Sequence, residues 1–228
     1  MTQHYFLVYD DHTHQADLAR LLESVRRYGP EFDIIVFDSQ DMDPAFREQH
    51  RDILDQPRGG GYWMWKSYII DRTLAKMNHG DILMYLDSKY YFKCPFQEMY
   101  QEYLKRQDFL AWTNRPNGNI HAMHQWCKMD VVVRFHMEQK VFVEGVCDCW
   151  AGFLTMRKTD HVCQMVQDWL EMCCDAHNIT DSPSHAPNSP YFCEHRHDQS
   201  LLSIVLYRNN VPLHFQGTKY LQDVRNPC

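Results

Sequence analysis

Three short apolar runs each close on an aspartate, and this repeated ending constrains the fold more than any other feature of the chain. Tyr5-Phe-Leu-Val-Tyr9 stops at Asp10, Asp33-Ile-Ile-Val-Phe37 stops at Asp38, and Asp81-Ile-Leu-Met-Tyr-Leu86 stops at Asp87. Short continuous apolar runs fit strands covered on both faces. Between them the apolar spacing becomes helical. Leu18, Leu21, Leu22 and Val25 form one stripe, ended by Gly29-Pro30. Ile69, Ile70, Leu74 and Met77 form another, on a helix expected from about 63 to 79 with Gly80 as its cap. Strand–helix–strand order predicts parallel strands joined by right-handed crossovers. Such sheets take ligands at the C-terminal ends of their strands. Asp10, Asp38 and Asp87 therefore belong to the expected functional edge.

The rest of the chain extends this pattern less regularly. Residues 40–57 are polar and read as partly helical. Met99, Tyr100, Tyr103 and Leu104 suggest a short helix. Residues 108–150 are expected to be strand-rich. Thr159 reads as an N-cap before an amphipathic helix carrying Val162, Met165, Val166, Trp169, Leu170 and Cys173. Residues 177–193, rich in Pro, Ser and Asn, read as a long loop of the kind that is often functional. Leu201, Leu202 and Val205 mark a helix after His197-Asp198-Gln199-Ser200. The expectation is one α/β domain over residues 1–228, with a mixed, mostly parallel central sheet flanked by helices.

Charge and cysteine use narrow the function. Lys plus Arg number 23 against 30 Asp plus Glu, a net charge of −7. An acidic chain is a poor general binder of nucleic acid or of an anionic membrane. No run of about 18 apolar residues is present, so no membrane span is expected. The first residues show neither a basic region nor a cleavage site, which gives a cytoplasmic expectation. The nine cysteines then read as mostly buried free thiols. Cys147-x-Cys149, Cys173-Cys174 and Cys193-x-His195-x-His197 lack the C-x₂-C spacing of structural zinc. Asn178-Ile-Thr180 is a formal glycosylation acceptor, idle without a secretory route.

The segment 58–89 carries the sharpest chemical signal. Arg58-Gly59-Gly60-Gly61 precedes a helix, so backbone N–H groups and the helix N-terminus can face an anion. Arg58 and Lys66 add positive charge. One helix and one strand later comes Asp87. The same spacing also suits a plain glycine turn, an amphipathic helix and a buried strand with nothing bound.

Tyr85-Leu86-Asp87-Ser88-Lys89 resembles the Y-L-D-x-D strand end of nucleotide-sugar glycosyltransferases with the GT-A fold. Three further segments match the glycogenin-type retaining branch in order. Ala151-Gly152-Phe153-Leu154 resembles N-A-G-x-x-L. Asp198-Gln199-Ser200-Leu201-Leu202-Ser203 resembles D-Q-D-x-L-N. His214-Phe215-Gln216-Gly217-Thr218-Lys219 resembles H-F-x-G-x-x-K, one residue short. Residues 58–66 (Arg-Gly-x-Gly-Tyr-Trp-x-Trp-Lys) are more loosely similar to glycosyltransferase domains of large algal viruses, so the cytoplasm expected is that of a cell or of an infected host cell.

The resemblance implies a Rossmann-like domain, with a nucleotide-binding half over about 1–107 and an acceptor and catalytic half over about 108–228. It implies transfer of a hexose from a nucleoside diphosphate sugar, UDP-sugar by family frequency, to a glycan or glycoprotein hydroxyl with retention. Donor contacts fall on Tyr9, Asp10, Arg58, Gly61, Trp65, Lys66, Asp87, Ser88, Lys89 and Lys219. A Mn²⁺ or Mg²⁺ ion would sit on Asp87 and His214 and neutralise the departing diphosphate. Asp198 would orient sugar hydroxyls and Gln199 would stabilise the oxocarbenium-like transition state. Asp148 and Trp150 would shape the acceptor side.

One departure matters. Lys89 stands where the second aspartate of D-x-D belongs, and a charged lysine is not a metal ligand. Either Asp87 and His214 hold the ion with fewer ligands, or Lys89 supplies the positive charge instead, or catalysis has been lost. The last case would leave a sugar-nucleotide or glycan binding module. A nucleotidyltransferase, which needs two metal-binding carboxylates, fits Lys89 less well.

Overall fold

The computed structural model describes residues 2–113, 121–215 and 217–223. Six strands form the main sheet: β1 (His4–Asp10), β2 (Phe32–Asp38), β3 (Ile82–Leu86), β5 (Phe109–Trp112), β6 (Phe153–Arg157) and β7 (Leu213–His214). β4 (Tyr90–Phe92) and β8 (Leu221–Asp223) pair apart as a two-stranded sheet. The order across the main sheet is β2-β1-β3-β6-β5-β7, and β6 alone runs against its neighbours. The sheet is thus mixed and mostly parallel, and it runs through both halves of the chain in one domain.

Alternation along the strands builds two cores. On one face Leu7, Leu83, Tyr85, Leu154 and Met156 meet three long helices. These are α2 (Met64–Lys76), α3 (Asp160–Cys173) and α4 (His197–Arg208). On the other face Phe6, Val8, Met84, Leu86 and Phe153 meet α1 (Gln15–Tyr28) through Leu18, Leu21 and Val25. Burial on both faces is why β1 and β3 read as unbroken apolar runs. β2 is less covered than its sequence suggests: it is the sheet edge, and Val36 is 40% exposed.

The helix ends follow local chemistry. Thr159 caps α3 by accepting the Val162 N–H at 3.2 Å. Gly29 closes α1, its N–H donated to the Val25 carbonyl at 2.8 Å, and Arg26 and Arg27 in the last turn suit the negative end of the dipole. α2 ends at Lys76, short of 79. Gly80 serves the following turn instead, at φ +88° with its N–H on the Lys158 carbonyl.

Residues 121–150 depart from the strand-rich expectation. They form short helical turns, including Met123–Trp126 and Met129–Arg134. The run Val131-Val132-Val133 looks like strand, yet Val131 and Val132 are buried while Val133 is 43% exposed. Packing of two valines on the core has overridden β-propensity. Residues 114–120 lie outside the described part.

Among the described residues the eight cysteines form no disulfide with one another; Cys127, Cys147, Cys149 and Cys173 are buried and only Cys193 is exposed. His195 and His197 do not join Cys193 as ligands. The His195 ring meets the Asn178 carbonyl at 2.7 Å, and the His197 ring meets the Ile179 carbonyl at 2.7 Å. Asn178 is itself buried, its amide donated to the Met172 carbonyl, so it is closed to glycosylation in the folded chain. Among the described residues no helix is long and apolar enough to cross a membrane.

Candidate functional site

The chain leaves β1 for β2 on one side and later places β3 on the other. The crevice between the C-terminal ends of β1 and β3 is therefore the switch point of the sheet, where open α/β sheets bind ligands. A cleft of about 360 Å³ opens there. Tyr9 of β1 and Asp11 just after it line it, as do Tyr85 of β3 with Asp87, Ser88 and Lys89 just beyond its end, and Gly59, Gly60, Trp63 and Trp65 from the glycine turn and α2. A larger hollow of about 560 Å³, walled by Arg134, Asp168, Glu171, Asp175 and Arg208, touches no strand end.

Strand periodicity places Tyr85 and Asp87 on the same face. The Tyr85 hydroxyl donates to Asp87 Oδ1 at 2.7 Å. Lys66, in the first turn of α2, is buried behind them. Its Nζ lies 3.5 Å from Asp87 Oδ1 and 3.1 Å from Asp198 Oδ2. Asp198 sits in the first turn of α4, where the helix dipole suits a carboxylate. Residues from β3, α2 and α4 thus meet in one carboxylate–ammonium–carboxylate row. Burial pulls the Lys66 ammonium down, but Asp198 and Asp87 together hold it above the usual lysine value. Burial pushes Asp87 up, but Lys66 and then Lys89 outweigh it and keep the carboxyl below its ordinary range. Asp198, more deeply desolvated, is pushed up to about 6 despite Lys66.

A second pair, a buried carboxylate with a half-buried amide, lies next along α4. Gln199 Nε2 donates to Asp148 Oδ2 in a short hydrogen bond. Burial pushes the Asp148 carboxyl up to about 7, against the pull of Gln199 and Arg196. Trp150 is 6% exposed and packs edge-on to Tyr90 and Phe153, so its ring belongs to the second core.

The glycine turn has an unusual backbone. φ is positive at Gly59, Gly60, Gly61, Tyr62 and Trp63, so the chain winds left-handed into α2. Consecutive left-handed residues are costly with side chains, which is why glycine occupies the first three. Gly61 points into the protein: a Cβ there would lie 2.7 Å from Leu54 Cα. Gly60 is open, with only Trp65 Nε1 within reach at 3.8 Å. Trp65 donates that Nε1 proton to the Gly59 carbonyl at 3.0 Å and stacks on Tyr9 with centroids 3.8 Å apart. The turn therefore presents Gly59, Gly60 and an aromatic wall to the cleft, while Gly61 serves packing.

Other expected donor residues lie outside the lining. Arg58 is bound to Asp181 at 3.1 Å and Glu194 at 2.7 Å, so it ties the turn to the long loop. Lys219 pairs with Glu102 at 2.9 Å. Asp10 accepts from the His12 N–H and from Gln15 Nε2, both at 2.8 Å. His12 also reaches Asp38 at 3.0 Å, so the aspartates at the ends of β1 and β2 share one neighbour.

The metal implied by the resemblance can be tested on this donor set. His214 lies on β7, three strands from β3, roughly 14 Å at about 4.8 Å per strand. Its Nε2 meets Gln107 Oε1 at 3.2 Å and its ring packs on Tyr103 and Trp112. Asp87 is the one carboxylate of the pair at the strand end. Its neighbours are two ammonium groups and a hydroxyl. A Mn²⁺ or Mg²⁺ ion seeks several oxygen ligands, and Asp87 with His214 does not supply that set.

Sequence reasoning reached Asp87, Lys66, Asp198 and Gln199 but not who holds whom. The Tyr85 contact was within reach of strand periodicity. The Asp148–Gln199 pair had no local signal.

The sheet order and the switch-point cleft are those of the GT-A fold. Similar solved structures include apo mouse xyloside xylosyltransferase 1, 12% identical over 94% of this chain and 85% of that one, TM-score 0.51. Core-mannan synthase A of Aspergillus fumigatus in its Mn/GDP form is 10% identical over 98% of this chain and 75% of that one, TM-score 0.50. The bifunctional glycosyltransferase WbbM is 11% identical over 94% of this chain and 38% of that one, TM-score 0.54. No protein-family model and no curated protein matches the sequence. The chain has the fold of nucleotide-sugar glycosyltransferases, at identities where the likeness concerns the fold.

Proposed function

We propose that this protein is a glycosyltransferase that takes a hexose from a nucleoside diphosphate sugar, a UDP-sugar in the first instance, and passes it with retention to a hydroxyl of a glycan or glycoprotein. The observation that carries the reading is the row Asp87–Lys66–Asp198 beside the switch-point cleft. Three elements far apart in sequence converge there, and a buried charged row is costly to maintain unless it is used.

In this reading the nucleotide lies in the cleft against the Tyr9–Trp65 wall, and Asp87 and Ser88 hydrogen-bond its ribose or the sugar. Lys89, free of a second aspartate, meets the diphosphate as a point charge. Asp198, held by Lys66, accepts from sugar hydroxyls. Asp148 takes one amide hydrogen of Gln199, which turns the amide oxygen away from Asp148. That oxygen is then available to the positive charge developing at the anomeric carbon. The glycosidic C–O electron pair leaves with the diphosphate. The acceptor oxygen bonds on the same face, and its proton passes to the departing phosphate oxygen.

The test is thermal stabilisation by UDP, GDP, CMP and dTDP, each with Mn²⁺, with Mg²⁺ and with EDTA. One nucleoside diphosphate should raise Tm and do so in EDTA as well, because Lys89 stands in for an ion. A shift that requires Mn²⁺ would overturn the metal-free part of the reading. No shift at millimolar nucleotide would overturn the donor site. Stabilisation without nucleotide release from the sugar donor would identify the inactive binding module.

A further inference from the structure

Away from the cleft, one group of side chains has the chemistry of a metal centre and no part in the reading above. Asp130 lies in the first turn of the helical segment Met129–Arg134, His177 lies on the turn Ala176–Ile179, and His185 lies on the long loop. One ligand atom from each falls within 4.8 Å of the others. We propose that Asp130, His177 and His185 form a binding site for a zinc-type divalent transition-metal ion that clasps the long loop to the body of the protein.

The donor types point to this class. Two imidazoles and one carboxylate suit Zn²⁺ and similar ions of the first transition row, and three protein ligands leave a fourth position to water. Hard ions such as Mg²⁺ prefer oxygen alone. The spacing also fits. Asp130 Oδ2 and His177 Nε2 are 2.8 Å apart, with one proton shared between them. A metal at about 2.0–2.1 Å from each takes that proton's place after the pair opens by a few tenths of an ångström. The displaced proton goes to water, as metal binding to imidazole requires. The two imidazole rings already lie face to face, 5.2 Å between centroids and 22° between planes, so a rotation of the exposed His185 ring brings its nitrogen to the same point.

The supporting contacts are in place as well. Asp130 is fixed by N–H groups of His185 at 2.7 Å and Ala186 at 2.8 Å, which orient its carboxylate toward the loop. The Ser182 hydroxyl lies 3.3 Å from His177 Nδ1, the far nitrogen of the ring. With a metal on Nε2, Nδ1 carries the proton and donates it to Ser182, the kind of outer partner that orients metal-bound histidine. Lys128 also reaches Ser182 Oγ, at 3.1 Å, so the hydroxyl is itself held.

The consequence concerns the loop. Asp181 and Glu194 on either side of this region grip Arg58 at the glycine turn. An ion at Asp130 therefore fastens the segment that Arg58 ties to the glycine turn, and the site itself does not depend on the cleft being a donor site.

The experiment is titration of the full chain, stripped with EDTA and carrying Cys193→Ser to remove the one exposed thiol among the described residues, with ZnCl₂ by calorimetry and with Co²⁺ by absorption. One ion should bind with micromolar affinity or tighter, and the Co²⁺ spectrum should lack a thiolate charge-transfer band. His185→Ala keeps the backbone N–H on Asp130 and should weaken Zn²⁺ by about tenfold or more. Ser182→Ala should weaken it roughly 10- to 100-fold. His177→Ala with His185→Ala should abolish stoichiometric binding. Absence of binding to the parent chain, binding unchanged in the double variant, or a thiolate band would each overturn the proposal. Binding of nucleotides is read separately, so failure here leaves the donor reading standing and the converse holds.

Discussion

Gly152 lies directly beneath Asp87: a Cβ on residue 152 would stand 2.7 Å from Asp87 Oδ2. The two are also joined through the backbone, the Asp87 N–H donated to the Gly152 carbonyl at 2.9 Å. The Ala-Gly pair at the start of β6 is thus what lets the β3 aspartate stand where it does. Gly152→Ala should displace the Asp87 carboxylate from the Tyr85 hydroxyl and Lys66. Overpacking of this kind costs about 1–3 kcal/mol of folding stability, and moving the carboxylate off its ligand-facing position weakens binding separately, by about tenfold for each 1.4 kcal/mol. Nucleotide affinity, read by thermal shift, should fall about tenfold or more while far-ultraviolet circular dichroism stays native. Unchanged affinity would remove Asp87 from the donor site.

Lys66 is the only cation in contact with both Asp87 and Asp198 among the described ion pairs. Lys66→Met leaves the buried Asp198 carboxylate without its cation and Asp87 with only the Tyr85 hydroxyl and Lys89, and breaking a buried pair costs about 3–5 kcal/mol. Urea unfolding should show that loss. Adding Asp198→Asn should recover part of it, since the stranded charge disappears. A single variant as stable as the parent would mean that the row is not closed in solution.

Asp148 gives stability a definite pH dependence. Its carboxyl stands at about 7 in the folded chain against 3.8 ordinarily. Between those values the native state keeps a proton that the unfolded chain has released. Stability from this group is therefore full below about 4, declines as pH rises toward 7, and is flat above. Asp198, raised to about 6, acts in the same direction over a narrower window. Asp148→Asn should remove roughly 2–4 kcal/mol of the difference between pH 4.5 and pH 8 in urea midpoints. Parallel pH profiles for parent and variant would contradict the burial of this carboxyl.

Arg58 joins two regions that sequence alone treats as unrelated. Its pairs with Asp181 and Glu194 are about 40% exposed, so each contributes no more than about 1 kcal/mol. Arg58→Ala should leave Tm nearly unchanged but speed proteolytic cleavage within residues 181–194. A large fall in Tm would instead assign Arg58 a role in the core.

The sequence by itself determined β1, β2 and β3, the four long helices and which edge of the sheet the aspartates share. Covered strands leave unbroken apolar runs, amphipathic helices leave a stripe, and an aspartate ending each of three runs marks the C-terminal edge of the parallel strands. Those are local signals, written in neighbouring residues. It also placed Asp87 at the end of a strand, and put Asp198 and Gln199 just ahead of a helix whose first turn they in fact occupy. It could not show that Lys66 faces carboxylates rather than the open cleft, that Arg58 is held by the loop, or that His214 belongs with Gln107 and Tyr103. Each of those depends on which strands and helices lie side by side, and nothing in the local pattern of residues encodes that order. The helical turns of 121–150 follow the same reason: buried contacts of Val131 and Val132 outweighed a propensity worth about 1 kcal/mol at most. Tertiary packing alone brought Asp130, His177 and His185 within reach of one another, because the loop that carries His185 has no periodicity to read.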